Sequence, residues 1–332
     1  MSALPSLRVD VVRKVFDDGN HNAFTDLCRF RDRFYLTFRS CPDGHGVFST
    51  SRIVVLSSAD ARGWEEVFTF SVSGRDVRDP HFLIFRGRLF VYTGTWLVPP
   101  PGGALDLNDH LGYGAWSEDG RSWHGPRHLE GTYGHYIWRA ASYGDRAYLC
   151  GRRRRAFAPL HEGESNPELI EGALLESDDG LVWRFRGLFT ESYGDETAFI
   201  FEEDGSILAL ARGAGPQPAR ICRSRPPYEE WTRTDLDRNV GGPLLVKWGE
   251  HYLAGGRKTL DPGRPRTTLY WLIDDQLREI TELPSGGDNS YPGFVALDER
   301  RALLSYYSSH EGSGTGLPPS AIYLAELSLE TP

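Results

Sequence analysis

The chain has 332 residues, of which 39% are hydrophobic and 12% aromatic, so it is long enough and apolar enough to bury a full core. With 37 Lys and Arg against 46 Asp and Glu, the net charge of -9 argues against binding to the phosphate backbone of nucleic acids. The 37 Gly, 21 Pro and single Met favour short strands and tight turns over long helices. We therefore expect an all-β fold.

The first residues, MSALPSLRVDVV, lack the basic start and apolar stretch of a signal peptide, and no later apolar run is long enough to span a membrane. We expect a cytoplasmic protein that does not contact membranes. The four cysteines show no zinc-ligand spacing, so we expect buried free thiols and no cofactor. A disulfide between Cys28 and Cys41 is the alternative if the protein is exported.

One pattern of strand, short turn and strand recurs six times along the chain. The copies begin at Ala23 (AFTDLCRFRDRFYLTFR), Asp79, Tyr136, Glu196, Gly241 and Tyr291. Most copies are followed by two more strands, and four strands at a period of roughly 50 residues are typical of a β-propeller. We predict one domain, 1–332, with six four-stranded antiparallel blades beginning near residues 21, 78, 135, 195, 240 and 289. Residues 7–16 are predicted to complete the last blade and close the ring.

A second pattern, Ser-x-Asp-Gly-x-x-Trp, occurs at residues 117–123 and 177–183, with a degenerate copy at 58–64 that has Ala61 in the Gly position. Each copy falls between the predicted third and fourth strands of a blade. There the Ser and Asp side chains can bond the turn backbone, and Gly allows a positive φ. We expect Asp119 and Asp179 to be structural, and the Trp residues to pack between blades.

In this motif and its position, the chain resembles the sialidase superfamily, whose Asp-box, or BNR, repeats lie at the same place in a six-bladed propeller. The resemblance covers essentially all six units. It implies the fold more directly than the chemistry, because similar folds host different activities. The function must therefore be inferred from the residues around the central cavity.

Polar residues cluster where the predicted inner strands begin, and in a propeller these positions meet on one face. Several second strands end in arginine, which favours an anionic ligand such as an acidic sugar, with no nucleic-acid partner. Trp96 and Tyr133 are further candidates for stacking against a sugar ring. The residues expected to bind the substrate are His21, Arg39, Arg78, Asp79, His81, His135, Trp138, Arg139, Arg212 and Arg257.

The sialidase resemblance implies roles for three of the inner positions. The family's Glu at the start of the fourth blade and the Arg at the end of that hairpin match Glu196 and Arg212, and the Tyr that opens the sixth blade matches Tyr291. Tyr291 is then the nucleophile and Glu196 its base, and an uncharged Tyr does not repel an anionic sugar. Arg257 and Arg266 are the candidates for the fifth-blade arginine.

The family's general acid lies in a first-blade loop, where SCPDGHGVFS contains Asp43 and His45. The family's first-blade Arg-Ile-Pro motif has no counterpart at NAFTDL, so Arg39 or Arg78 would have to replace that arginine. We therefore expect an exo-acting glycoside hydrolase of sialidase-like type, whose acidic sugar or small oligosaccharide is not a sialic acid.

Two other functions remain open. The histidines near the cavity, with Tyr and Arg, are also typical of a lyase that removes the C5 proton of a uronate, and the propeller can alternatively bind a glycan without catalysis. The same histidines can hold a divalent metal, although their spacing does not predict one. The segment SSHEGSGTG at residues 308–316 lacks the strand-to-helix context of a phosphate loop, so we expect a rim loop.

Overall fold

The computed structural model describes residues 4–159, 166–259, 264–312 and 319–330. Its regular structure consists of 24 strands and three short 3-10 segments, and the strands form six four-stranded sheets. The predicted all-β, six-bladed propeller is therefore confirmed. Within the described ranges, no helix is long and apolar enough to cross a membrane.

The strand bounds follow the order of the chain. The first strand is β1 (Ser6–Phe16). Blade 1 contains β2 (His21–Phe30), β3 (Arg33–Cys41), β4 (Arg52–Ser58) and β5 (Glu65–Phe70). Blade 2 contains β6 (Arg75–Phe85), β7 (Arg88–Leu97), β8 (Leu111–Ser117) and β9 (His124–His128). Blade 3 contains β10 (Tyr136–Tyr143), β11 (Arg146–Arg154), β12 (Ile170–Ser177) and β13 (Arg184–Thr190).

Blade 4 contains β14 (Gly194–Phe201), β15 (Ile207–Gly213), β16 (Arg220–Ser224) and β17 (Trp231–Asp235). Blade 5 contains β18 (Gly241–Trp248), β19 (His251–Thr259), β20 (Pro265–Ile273) and β21 (Gln276–Glu282). Blade 6 contains β22 (Asn289–Ala296), β23 (Arg301–Ser308) and β24 (Ala321–Glu330), with β1 as its outermost strand. Because β1 pairs antiparallel with β24, the two ends of the chain close the ring as predicted.

The core lies between the blades, because each sheet packs both faces against its neighbours. The second strand β3 is buried over most of its length, whereas the outermost strand β9 is exposed throughout. Trp183 shows how one blade seals against the preceding one: it is 3% exposed and packs edge to face on Tyr92 with ring centres 5.7 Å apart. The four cysteines are free thiols.

The Ser-x-Asp-Gly turns have the geometry that their residue types predict. Asp119 accepts hydrogen bonds from the backbone N–H groups two and three residues further on, each at 2.7 Å. Gly120 has φ 78°, and a β-carbon there would lie 1.9 Å from the Tyr35 hydroxyl, so glycine is required. Ala61 adopts the same region with φ 58° in the degenerate copy. These aspartates hold turns between the third and fourth strands.

Every inner strand contains a β-bulge near its start. The register shifts lie in β2, β6, β10, β14, β18 and β22, each within the first six residues of the strand. A bulge adds a residue to one strand and turns a side chain out of the regular alternation. The bulged residues include Phe24, Asp79, Trp138, Glu196 and Tyr291. Five of the bulges therefore place a large or charged side chain near the strand start, whereas the bulge of β18 contains Gly242 and Pro243. The rim loop predicted at residues 308–316 lies partly outside the described residues.

Candidate functional site

The centre of the site is a hydrogen bond between Tyr291 of blade 6 and Glu196 of blade 4, which are 95 residues apart in the chain. The Tyr291 hydroxyl donates to Glu196 Oε1. Glu196 Oε2 accepts from Arg212 Nη1 at 2.8 Å and from the Gly242 backbone N–H at 3.0 Å. Both carboxylate oxygens are therefore held, and the phenol is aimed at one of them.

Tyr291 is held tightly on several sides. Its ring packs edge to face on Trp138 with centres 6.0 Å apart, and on Phe24 at 4.9 Å. The Arg257 guanidinium lies 5.8 Å from the ring centre. Tyr291 itself has φ 53°, a region that is costly for a bulky residue and is common at functional sites. The surroundings therefore fix the orientation of the phenol.

The electrostatics keep the proton on the tyrosine. Burial disfavours the charged form of Glu196, but Arg212, the Tyr291 hydrogen bond and Arg152 outweigh it and lower the pKa of Glu196 to about 2. Burial, together with the negative charges of Glu196 and Asp79, raises the pKa of Tyr291 well above its usual value. The resting site therefore contains a neutral phenol against an ionised carboxylate.

Three arginines and one histidine keep part of their side chains open to solvent around this pair. The exposed fractions are 22% for Arg152, 26% for Arg212, 21% for Arg257 and 35% for His45. Arg212 and Arg257 both adjoin Tyr291, whereas Arg266 bonds its neighbouring Pro265 carbonyl at 3.0 Å at the start of β20. Arg257 is therefore the fifth-blade arginine that adjoins the site.

The first-blade loop brings only one of its two candidate acids to Asp288. His45 Nδ1 lies 2.6 Å from Asp288 Oδ2, at the start of blade 6. Asp43 is exposed and accepts a hydrogen bond from Thr50 within its own loop. His45 also packs edge to face on Phe24 with centres 5.6 Å apart. Of the two, His45 therefore adjoins the aromatic group that contains Tyr291.

Contrary to the expectation from sequence, Arg39 has no free N–H for a ligand. It is 0% exposed, and its five donors contact Asp76 twice, His21 Nδ1, and the Gly44 and Gly46 carbonyls. Arg78 donates through Nε to Asp76 and through Nη2 to two carbonyls of the first-blade loop. Both arginines therefore hold the first-blade loop, and Arg39 has no donor left to replace the missing first-blade arginine.

Asp79 is a second titratable group close to Glu196. It is 4% exposed; Tyr136 donates a hydrogen bond to its Oδ2, and its Oδ1 has no partner among the described residues. Burial and the charge of Glu196 raise the pKa of Asp79 to about 7. The carboxyl group thus has one buried oxygen that is able to carry a proton.

Two other predicted binding residues, His81 and Arg139, line a separate cavity, although the charge of Glu196 acts on both of them. His81 and Arg139 line a cavity of about 310 Å³ whose lining includes neither Tyr291 nor Glu196. Arg139 donates to the Pro243 and Pro292 carbonyls and so joins the inner strands of three blades. The binding of a ligand by His81 and Arg139 therefore stays a prediction, and the structure gives these two residues a cavity of their own.

Three more residues predicted to contact the sugar, Trp138, His135 and Trp96, pack against other side chains of the protein. Trp138 is 1% exposed beneath Tyr291, which makes it a support for the phenol rather than an open platform for a sugar. His135 bonds the Tyr133 carbonyl and packs against Phe157. Trp96 packs against His110 with ring centres 4.0 Å apart.

Sequence reasoning missed Asp76, Tyr136 and Tyr307. Tyr307 pairs with Ser290 near the end of the second strand of blade 6, immediately before the bulge, and at this position blades 1 and 5 have Arg39 and Arg257. Aligning the ends of the second strands could have identified it. No sequence pattern distinguishes Asp76 and Tyr136 from the other residues of the inner strands. Their importance comes from contacts with Arg39 and Asp79, which only the folded structure shows.

One group within the described residues has atoms close enough to hold a metal ion: His21, His45 and Asp288. Its ligand atoms also satisfy one another, since His21 Nε2 lies 2.8 Å from Asp288 Oδ2. Arg39 donates toward His21 Nδ1 at 3.3 Å, so the proton of the neutral ring must be on Nε2. A protonated Nε2 has no lone pair with which to bind a metal. The three residues therefore fit a hydrogen-bonded cluster better than a metal site.

No family model and no curated protein matches the chain. Solved structures do share its fold. A protein of unknown function from Dyadobacter fermentans has a TM-score of 0.80 at 22% identity over 98% of this chain and 100% of that one. Trypanosoma rangeli sialidase in complex with sialic acid has a TM-score of 0.65 at 12% identity over 98% of this chain and 59% of that one.

A mutant of NanB sialidase from Streptococcus pneumoniae has a TM-score of 0.67 at 11% identity, over 97% of this chain and 70% of that one. This chain therefore spans little more than half of the trypanosomal enzyme. At these identities the likeness concerns the fold, so the chain has a divergent sialidase-like propeller.

Proposed function

We propose that the protein is an exo-acting glycoside hydrolase of sialidase-like type, with Tyr291 as nucleophile, Glu196 as its base and His45 as general acid and base. The observation that carries the proposal is the hydrogen bond from the Tyr291 hydroxyl to a Glu196 carboxylate held by Arg212. The TM-scores of 0.65 and 0.67 with two sialidases support the choice of chemistry by analogy of fold.

In the first step, protonated His45 gives its Nε2 proton to the glycosidic oxygen as the bond to the anomeric carbon breaks. The Tyr291 oxygen bonds to that carbon, and its proton passes to Glu196 Oε1. The phenol becomes strongly acidic only as the new bond forms, which is why a carboxylate of low pKa can still accept the proton. The product of this step is a covalent glycosyl-tyrosine.

In the second step, a water molecule attacks the anomeric carbon while neutral His45 Nε2 takes its proton. The bond between the sugar and Tyr291 breaks, and Glu196 returns the proton to the phenolate. His45 and Glu196 thus end in their starting states, and the net change is the addition of water across the glycosidic bond. Two displacements at one carbon predict retention of the anomeric configuration.

The substrate we propose is a terminal sugar with one acidic group, bound by Arg212 and Arg257. Both guanidinium groups are partly exposed and adjoin Tyr291. Phe24, in the bulge of β2, lies near the place where the sialidase family has its first-blade arginine, and its ring is 4.9 Å from that of Tyr291. An acidic group would therefore meet two arginines and an aromatic edge, which favours a sugar other than sialic acid.

The test is product analysis by mass spectrometry with a panel of uronate and other acidic glycosides. Tyr291→Phe and Glu196→Gln should each lower turnover at least about 100-fold. Tyr252→Phe is the matched control, because the Tyr252 hydroxyl also donates to a glutamate, Glu202, at 2.7 Å, but in a different part of the fold. Full activity of Tyr291→Phe would overturn the proposal.

The same panel separates the alternatives. A product pair with one added water supports the hydrolase. Products without added water that absorb in the ultraviolet as unsaturated uronates would instead indicate a lyase, for which His45 beside Asp288 is a suitable base. Binding without turnover by the wild type would leave a glycan-binding propeller.

A further inference from the structure

The His45 ring has two different nitrogen environments. Nδ1 lies 2.6 Å from Asp288 Oδ2, whereas Nε2 has no hydrogen-bond partner among the described residues. The side chain is 35% exposed, so one nitrogen is held by protein and the other is open. A histidine in this arrangement exchanges protons through its open nitrogen, provided that the held nitrogen carries a proton.

Asp288 is an acceptor for four groups. Oδ2 faces His45 and His21, the latter at 2.8 Å, and Oδ1 accepts from the Tyr307 hydroxyl at 2.8 Å and from Arg257 Nη1 at 3.3 Å. Burial raises its pKa, but the hydrogen bonds from the two histidines outweigh this and leave the pKa of Asp288 below its usual value. An ionised carboxylate has no proton to donate, so each histidine must present an N–H to it.

The tautomer of His21 is set by Arg39, which contacts the ring nitrogen that faces away from Asp288. Arg39 Nη1 lies 3.3 Å from His21 Nδ1, and a guanidinium group is only a donor. Burial lowers the pKa of His21 despite the opposing effect of Asp288, so the ring is neutral and has one N–H. With Nδ1 accepting from Arg39, that N–H is on Nε2, where it points at Asp288. The two independent contacts require the same tautomer.

Arg39 in turn is fixed by the protein. All five of its N–H groups have partners, and its charge is balanced by Asp76, which is 0% exposed. Arg78 donates to the His45 and Gly46 carbonyls and anchors the first-blade loop from blade 2. The charged and titratable groups that face the two histidines are thus Arg39, Asp288, Arg257, Tyr307 and Arg78.

We propose that Arg39, His21 and Asp288 form a relay of positioning residues that holds His45 in the tautomer with the proton on Nδ1 and Nε2 open to the cavity. Arg39 orients His21, His21 and His45 share one oxygen of Asp288, and the exposed Nε2 becomes the atom that exchanges protons with a ligand. Its catalytic use rests on the proposed hydrolase, whereas the tautomer is a property of the protein alone.

The test is long-range proton-nitrogen NMR of protein labelled with ¹⁵N-histidine, at a pH where the histidines are neutral. His45 should show a protonated Nδ1 and an unprotonated Nε2, and His21 should show the reverse. His45→Gln and His124→Gln assign the signals and supply a control, because His124 is an exposed residue of β9. A wild-type His45 protonated on Nε2 would overturn the relay.

Two substitutions at His21 separate positioning from folding. His21→Ala removes the second donor that fixes Asp288 Oδ2, so the His45 Nδ1–H should stay on Nδ1 but lose its rigid acceptor, and its signal should broaden and exchange faster with solvent. His21→Gln should restore the sharp, slowly exchanging His45 Nδ1–H signal, because its amide N–H can replace Nε2–H toward Asp288 and its oxygen can accept from Arg39. An unchanged His45 spectrum in His21→Ala would refute the relay. The NMR result does not depend on turnover, so it remains decisive if no glycoside is cleaved.

Kinetics and metal titration complete the test. With a cleaved glycoside, His45→Gln should lower kcat by about 100-fold or more, and His21→Ala by about 10-fold, with recovery in His21→Gln. For both variants, the decrease in kcat should be smaller with a nitrophenyl glycoside than with other glycosides, because a nitrophenolate leaves without being protonated. Stoichiometric Zn²⁺ binding that changes the His21 and His45 signals would contradict the relay, because a metal would require an unprotonated His21 Nε2.

Discussion

Gly242 lies directly against the ring of Tyr291, although 49 residues separate them in the chain: a β-carbon on Gly242 would be 2.6 Å from Tyr291 Cδ2. Gly242 also has φ 58° and donates its N–H to Glu196. One residue without a side chain therefore lets blade 5 approach both members of the proposed catalytic pair.

Gly242→Ala should therefore damage the site more than the backbone strain alone explains. Gly249→Ala is the matched control, because Gly249 has φ 59° and a β-carbon there would meet nothing within 4 Å. We expect about 1 kcal/mol of destabilisation for Gly249→Ala, and about 2–4 kcal/mol for Gly242→Ala. Urea unfolding of both variants checks this. Equal losses would show that the Tyr291 ring moves aside without cost.

Arg212→Gln should move the acidic limb of the pH–rate profile to higher pH. Against the effect of burial, Arg212 is the largest influence that lowers the pKa of Glu196, so its removal makes Glu196 hold a proton under milder acid. The limb should move by about one pH unit or more. The profile of kcat/KM measures this, with Arg223→Gln as control because Arg223 pairs with Asp275 on an exposed part of the molecule. An unmoved limb would contradict the assignment of Glu196 as base.

Asp79→Asn should change how stability depends on pH. Burial and the charge of Glu196 raise the pKa of Asp79 to about 7, above the value near 3.9 of an unfolded aspartate. The wild type therefore loses stability from this group as the pH rises from about 4 through 7, by roughly 1.4 kcal/mol for each pKa unit at most.

The free energy of unfolding, measured in urea from pH 5 to pH 9, should thus decline less in Asp79→Asn than in the wild type. Asp145→Asn, at an exposed residue, should follow the wild type. Parallel curves for Asp79→Asn and the wild type would show that Asp79 is already ionised at pH 5.

The thiols should be unreactive in the folded protein. All four cysteines are free, and burial raises the pKa of both Cys150 and Cys222 to about 12. A chromogenic disulfide reagent at pH 8 should therefore react slowly with native protein and label four thiols after unfolding. Fewer than four reactive thiols in the unfolded, unreduced protein would indicate a disulfide such as the predicted alternative between Cys28 and Cys41.

Local chemistry in the sequence was enough to predict the fold. Alternating apolar residues, six strand-turn-strand copies and two Ser-x-Asp-Gly turns specify short-range structure, because each depends on residues within one hairpin. The first strand had no partner within its own part of the sequence, so it was predicted to pair with the last strand, and β1 does pair with β24. The same alignment identified Glu196 and Tyr291 as the first residues of their hairpin copies.

The arrangement of the site was decided by the tertiary structure. The inner-strand bulges turn Glu196 and Tyr291 toward each other. A local sequence pattern does not predict a bulge, because a bulge depends on the register with the neighbouring strand. Sequence could not distinguish Arg39, whose five donors are used within the protein, from Arg212, which remains partly exposed. It also could not pair His45 with Asp288 across 243 residues. Residue types determine which contacts are possible, whereas burial and the geometry between blades decide which of those contacts form.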